Sequence, residues 1–359
     1  MAGKVRVGII GTSWWTEMMY LPSLRSHRQA EIVAICGRDR GRAEELAKSN
    51  SIPQVFTDYR QLIGSTKLDA VVIATPDDLH FPMTMDALDA GLHVLCEKPI
   101  ANNSGDARQM QEKARATGVK NMVLFTWRWQ PHWQHLKRLV DEGYIGRCHQ
   151  ARFAFDGGQA RHDGYTWRID GARSNGMVGD LGSHMIDFAR WYLGDVRCVS
   201  AHLPALIDRA THARPPAVPT SDSALVTMEM ESGAQVLIQA GGVAHVGNQV
   251  VRIAVHLYGD AGSIEAEQIF LGRDARVLVR GIRSNQEEFE SIEIPHEIPA
   301  SGMDKLMSPY LNQSAGPRLF IDSIRTDESA RPDFSDAFRV QEVVDAALRS
   351  HRERRWIDL

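Results

Sequence analysis

Paired cysteines, a net positive charge and long apolar runs are all missing from this sequence, and each absence removes a class of protein. The four cysteines, Cys36, Cys96, Cys148 and Cys198, stand far apart and form no C-x-x-C pair. That argues against a disulfide framework and makes a reducing, cytoplasmic compartment the simplest expectation. The formal net charge is -4, which gives no electrostatic footing for nucleic acid or an anionic membrane surface. No apolar stretch approaches the roughly 20 residues of a membrane span. The start, Met1-Ala2-Gly3-Lys4-Val5-Arg6-Val7, lacks a signal-peptide apolar core and runs straight into a strand pattern. No repeat or low-complexity tract is evident. What is there is 359 residues, 43% hydrophobic and 24% charged, enough for two domains with full cores.

The first third alternates two signals. Near-continuous apolar runs at 5–10, 30–36, 68–75, 91–96 and 121–126 suit strands buried on both faces of a parallel sheet. The segments 42–48, 81–90 and 107–117 between them read as helices, with Gly91 and Gly118 as stops. This βαβα order predicts a doubly wound α/β domain over about 1–126. Beyond Trp127 the pattern changes. A helix is expected over 131–142, then alternating strands at 224–230, 234–240 and 251–258, two of them joined through Glu231-Ser232-Gly233 as a hairpin. The Pro/Ala-rich stretch from Pro204 to Pro219 reads as an exposed loop, and 338–350 as a closing helix. The second domain, 127–359, is therefore expected to be α+β around an antiparallel or mixed sheet, with the closing helix free to pack back toward the first domain.

The turn after the first strand reads Gly8-Ile9-Ile10-Gly11-Thr12-Ser13-Trp14-Trp15. Against the dinucleotide fingerprint G-x-G-x-x-G, Gly11 fits the first glycine, Ser13 replaces the second and Thr16 stands at the third. Gly11, Thr12, Ser13 and Trp14 are thus cofactor-binding candidates. The second strand ends Cys36-Gly37-Arg38-Asp39. An arginine there accommodates a 2′-phosphate and an acidic residue bonds a ribose 2′-hydroxyl. Arg38 leans the reading to NADP(H); Asp39 keeps NAD(H) open.

Two further groups carry chemistry. Lys98, in Cys96-Glu97-Lys98-Pro99, follows a strand and stands where it can meet whatever reacts with the dinucleotide. In Asn175–Leu193, a single helix would set Asp180, His184, Asp187 and Trp191 on one stripe, with Asp180 and His184 one turn apart. That pair is either a general base with its orienting carboxylate or an ordinary polar pair on an amphipathic helix. Gly179 and Gly182 remove bulk beside it, which would admit a ligand. Ionising an alcohol about as weakly acidic as water costs ~12 kcal/mol at neutral pH. A histidine taking the proton during the reaction avoids that step, and a lysine ammonium stabilises the developing negative charge. His132 and His135 invite a metal reading, but no third ligand is suggested nearby.

In combination, VGIIGTSWW, ATPDDLH at 74–80, HVLCEKPI at 93–100, FTWRW at 125–129, WRID at 167–170, GDLGSHMID at 179–187 and LYGDAGSIEAE at 257–267 resemble the glucose–fructose oxidoreductase / inositol dehydrogenase / rhizopine catabolism (Gfo/Idh/MocA) family. The resemblance implies an N-terminal Rossmann domain and a C-terminal domain with a large open sheet that often mediates a homo-oligomer, a dimer or tetramer. It implies hydride transfer between NADP(H) or NAD(H) and a CH–OH/C=O group of a sugar, cyclitol or related polyol. By carry-over, Lys98 contacts nicotinamide ribose and substrate oxygen, His184 is the acid/base, and Asp180 positions substrate or histidine. Thr75, Pro76, His80 and Glu97 join the cofactor contacts, and Lys98–Pro99 is expected to be cis. Trp15, Arg128, Trp167 and Arg168 are the candidate substrate contacts. Two rivals stay open: a glycosidase using tightly held NAD for transient oxidation, and a dinucleotide-sensing binding protein without turnover.

Overall fold

A computed structural model describes residues 3–65, 67–161, 164–208, 218–247, 250–271, 273, 275–295 and 303–359. It forms two compact units. The first comprises Met1–Thr126 with Met307–Arg339, the second Trp127–Leu306 with Val340–Leu359.

The first unit is built on six parallel strands: β1 (Val5–Ile10), β2 (Ala30–Cys36), β3 (Gln54–Phe56), β4 (Ala70–Ile73), β5 (His93–Cys96) and β6 (Asn121–Val123). They lie in the order β3-β2-β1-β4-β5-β6. This is the doubly wound arrangement, with its switch point between β1 and β4. The central strands are apolar on both faces because both faces are covered: Val71, Val72, Ile73, Val94 and Leu95 have no exposed surface. The helices Arg40–Asn50, His80–Asp89 and Ser104–Thr117 fall on the expected segments. Asp39 and Asn103 cap the first and third of these. Strand β3 was not foreseen, since three half-buried residues give no readable period.

The second unit is a nine-stranded sheet of β7 (Cys148–Gly157), β8 (Val196–His202), β9 (Ser223–Met230), β10 (Gln235–Gly241), β11 (Val251–Gly259), β12 (Gly262–Ile269), β13 (Arg276–Arg283), β14 (Glu290–Ser291) and β15 (Ile357–Asp358). Their order is β14-β13-β12-β11-β7-β10-β9-β8-β15. Every neighbouring pair is antiparallel except β7 with β10. The β9–β10 hairpin turns at Gly233, whose φ is +83°. One sheet face alternates into the core; the other shows Leu225, Leu237 and Leu278 to solvent. In the Pro204–Pro219 stretch, 209–217 lie outside the described residues.

One boundary differs from expectation. The second domain does not run unbroken to residue 359, because 307–339 cluster with the first unit. That segment extends the first unit's own bonding: Val123 N–H donates to Pro332 O (3.0 Å), Phe334 N–H to Asn121 Oδ1 (2.8 Å), and Ser23 Oγ to Tyr310 O (2.9 Å).

Candidate functional site

In the first unit the relevant loops leave the carboxyl ends of β1, β2, β4 and β5, where ligands bind in sheets of this order. Gly11 has φ +123°, and a Cβ there would stand 2.2 Å from Ala74 O. Only glycine permits this approach of the turn to the loop after β4. Gly37 closes in the same way on Thr12, whose Cγ2 would be 2.4 Å from an added Cβ. The two missing fingerprint glycines have a use of their own: Thr16 N–H donates to Ser13 Oγ, and the two hydroxyls lie 3.2 Å apart. Serine and threonine here start the helix, a job for short hydroxyl side chains. Backbone N–H groups at such a turn suit a pyrophosphate. Trp14 is 60% exposed, and its ring centroid lies 5.7 Å from that of Trp15. Arg38 is exposed, and the Asp39 carboxylate accepts from Arg42 N–H as a helix cap.

The lysine turn is braced through Glu97. Trp15 Nε1–H (2.6 Å) and Tyr20 O–H (2.7 Å) both donate to Glu97 Oε1, and Lys98 N–H donates to Oε2 (3.0 Å). Trp15 was expected among substrate contacts; its indole N–H donates to Glu97. Trp15 and Tyr20 reach one oxygen because Thr16–Tyr20 is a π-helical turn. Residues five apart would diverge by about 140° on an α-helix but come together in an i→i+5 turn, a feature frequent at functional sites. Burial pushes the Glu97 carboxyl up, opposed by the Lys98 charge and these donors. Burial beside Glu97 raises Tyr20 well above the usual phenol range, so its hydroxyl stays a donor. Lys98 is half-buried, and the Lys98–Pro99 bond is cis, as expected.

His80, expected among cofactor contacts, has no exposed surface. Its Nδ1 lies 2.7 Å from Pro99 O and its Nε2 3.0 Å from Thr75 O. Both nitrogens face backbone carbonyls. Burial lowers its pKa below the ordinary histidine value; the two carbonyls and Asp78 act the other way, and Lys98 adds to the lowering. Thr75 Oγ1 lies 3.7 Å from Met83 Sδ, and Pro76 opens the 3₁₀ turn Asp77–Leu79.

In the second unit, the expected single helix over Asp180 and His184 is two pieces. Val178–Gly182 is a π-helical turn and Ser183–Leu193 an α-helix. A four-residue spacing falls short of one turn where the winding is wide, so Asp180 and His184 do not share a plain α-helical stripe. Asp180 lies 3.7 Å from Arg168 Nε, and the Arg168 guanidinium sits 4.3 Å over the Trp167 ring. His184 is 5% exposed, its ring centroid 5.9 Å from that of Phe155. The space expected beside Gly179 is taken: a Cβ there would meet Asn175 Cβ at 2.8 Å.

Arg128, expected among the substrate contacts, has a carboxylate partner. It is buried, with Nε and Nη2 each 2.6 Å from a carboxylate oxygen of Asp187, a fork-to-fork pair, and it stacks over Trp191. Trp127 packs edge-on against Phe155 and Phe270, and Trp133 has no exposed surface, so both are core. His132 Nε2 lies 3.3 Å from Gln268 Oε1 in the same core. Among the described residues no His/Cys/Asp/Glu group has the makings of a metal site, and no helix is long and apolar enough to cross a membrane. Tyr20 and Asp187 were the partners missed as such; the five-residue spacing of Trp15 and Tyr20 was the available signal for the first.

A parallel sheet in this order, with a glycine turn after β1 and a braced lysine turn after β5, defines a dinucleotide-dependent oxidoreductase. Residues 5–125 match the oxidoreductase family with an NAD-binding Rossmann fold, and residues 133–265 match the GFO/IDH/MocA C-terminal domain. The chain belongs to the Gfo/Idh/MocA family, and its first unit is an NAD-binding Rossmann domain. It is 26% identical over 367 residues to an uncharacterized oxidoreductase of Synechocystis sp., covering 99% of this chain and 96% of that protein. Levoglucosan dehydrogenase of Pseudarthrobacter phenanthrenivorans is 25% identical over 343 residues (88% and 86%). Inositol 2-dehydrogenase 4 of Saccharopolyspora erythraea is 33% identical over 241 residues, 66% of each chain. A solved structure of levoglucosan dehydrogenase with NADH and levoglucosan has the same fold, with a TM-score of 0.87 at 22% identity over 99% of both chains.

Proposed function

We propose that this protein transfers hydride between a nicotinamide dinucleotide and a CH–OH/C=O group of a sugar, cyclitol or related polyol. The observation that carries the reading is the lysine turn: Lys98 follows β5 of a doubly wound sheet, its backbone fixed by the Glu97 carboxylate. The residues fit the cofactor: the turn after β1 lies at the carboxyl end of a doubly wound sheet, and Gly11 lets it close on the loop after β4, the place where such sheets hold a dinucleotide phosphate. When bound, the nicotinamide supplies the hydride acceptor or donor. In this proposal Gly11, Thr12, Ser13, Trp14, Thr75 and Pro76 line the dinucleotide site. The Lys98 ammonium stabilises negative charge on the substrate oxygen. His184 moves the proton at that oxygen, and Asp180 orients substrate or imidazole. Trp167 and Arg168, stacked together and next to Asp180, are the substrate contacts. Relatives named for levoglucosan and inositol support the polyol class.

The same proposal gives NADP(H) as the preferred cofactor and NAD(H) as the alternative. Arg38 is exposed at the end of β2, while the Asp39 carboxylate is engaged in a helix cap. At least tenfold better kcat/KM with NAD would reverse that preference. The proposal also includes a cytoplasmic location, supported by four free thiols, and a homo-oligomer through the exposed sheet face. That face carries Leu225, Leu237 and Leu278 beside the Arg252–Glu267 and Arg280–Glu265 pairs. Sedimentation as a monomer at micromolar concentration would remove the oligomer from the proposal.

Cofactor-reduction assays over a sugar and cyclitol panel test the function. Lys98→Ala is expected to lose about 10²–10³-fold in turnover and His184→Ala about 10²–10⁴-fold, each measured per folded molecule. Near-full activity in Lys98→Ala would end its assignment. Glycoside cleavage without net absorbance change at the nicotinamide band would replace the dehydrogenase reading.

A further inference from the structure

We propose that His80 is a positioning residue for Lys98, holding the lysine turn in place through the Pro99 carbonyl. The inference rests on the role proposed for Lys98. The imidazole is wholly inside the first unit and faces two carbonyls from two different loops, Pro99 O after β5 and Thr75 O after β4. A neutral ring carries one N–H and can donate to one of them. The contact of Nδ1 with Pro99 O is the shorter, 2.7 Å against 3.0 Å for Nε2 with Thr75 O, and the proposal places the proton on Nδ1.

Lys98 is then held on both flanks. On its amino side Glu97, gripped by Trp15 and Tyr20, accepts the Lys98 N–H. On its carboxyl side the Pro99 carbonyl is tied to the first residue of the helix His80–Asp89. That helix packs Met83, Thr84, Ala87 and Leu88 into the core, so the anchor is rigid. A charged group that must meet an oxygen within a few tenths of an ångström needs its backbone fixed from both sides. His80 supplies the second side without touching substrate.

Asparagine and glutamine separate the two contacts. The Asn amide reaches the Nδ1 position and the Gln amide the Nε2 position, while phenylalanine keeps the volume and offers neither. His80→Gln and His80→Phe are expected to lose about 10²-fold in kcat with little change in KM for the dinucleotide; His80→Asn recovers most of the turnover. Amide hydrogen exchange supplies a readout independent of activity. Faster exchange confined to residues 96–101 is expected in the Gln and Phe variants and not in Asn. If no polyol is turned over, the function reading fails while the exchange pattern still decides the role of His80. Equal behaviour of the Asn and Gln variants, or exchange raised throughout the first unit, would overturn it. The Asn–Gln contrast suffices if the Phe variant does not fold.

Discussion

Each unit buries a carboxylate beside a residue proposed to act, and the two are held in opposite ways. Glu97 stands next to Lys98 and is met by an indole N–H, a phenol O–H and a backbone N–H, all uncharged. Asp187 lies three residues after His184 and is met by a guanidinium at two points. Neutral donors fix a carboxylate in place without cancelling its charge, and the Lys98 charge helps keep Glu97 ionised against burial. The ion pair of Asp187 is framework: it ties the segment carrying Arg128 to the helix carrying His184. One carboxylate is arranged to set the placement of a neighbouring cation, the other to hold a helix.

The sharpest break of that comparison is Asp187→Asn, which leaves Arg128 charged and buried. A loss of about 3–5 kcal/mol is expected, measured by urea unfolding. Turnover per folded molecule should change far less than stability. Glu97→Gln should do the reverse. Its amide still accepts one bond, so stability falls by about 1–3 kcal/mol, but kcat drops as the Lys98 turn loosens. If Glu97→Gln unfolds the protein as readily as Asp187→Asn while sparing kcat, the distinction between the two carboxylates is wrong.

A third expectation concerns acid. Burial lowers the His132 pKa to about 3, so the folded chain keeps that ring neutral while the unfolded chain takes a proton near 6.5. Between those values the unfolded state binds more protons, and stability falls as pH falls, by about 1.4 kcal/mol per pH unit from this one group. Above about pH 6.5 the effect is absent. His132→Gln should flatten the urea-midpoint profile between pH 6.5 and 4.5 relative to the parent; an unchanged slope would remove His132 as the cause.

How much of this was legible in the sequence depends on the range of the interaction. The parallel sheet was readable because strands buried on both faces become apolar runs, as at Ala70–Ile73 and His93–Cys96. Lys98 and His184 stood out through motif and spacing. What the sequence did not show are hydrogen-bond partners far apart in the chain. Arg128 pairs across 59 residues, Trp15 across 82, and His80 with a carbonyl 19 residues on. A charged or aromatic side chain looks available to a ligand until its partner is known. The π-helical turns at Thr16–Tyr20 and Val178–Gly182 were hidden for a different reason. Their composition suits an α-helix equally well, so nothing in the local sequence marks the wider winding.

The smallest effect expected is also the most discriminating for the Glu97 clamp. Trp15 and Tyr20 donate to the same oxygen, but Trp15 is partly exposed and Tyr20 wholly buried. Trp15→Phe removes the indole N–H at a place water can approach, so the cost should be about 1 kcal/mol, the net worth of one hydrogen bond. Tyr20→Phe removes a donor where no water follows and should cost more, toward the 1–3 kcal/mol of a buried group left short of a partner. Thermal melts of the two variants give the order directly. If Trp15→Phe proves the more damaging, the indole packs the turn rather than holding the carboxylate, and the neutral clamp reduces to Tyr20 alone.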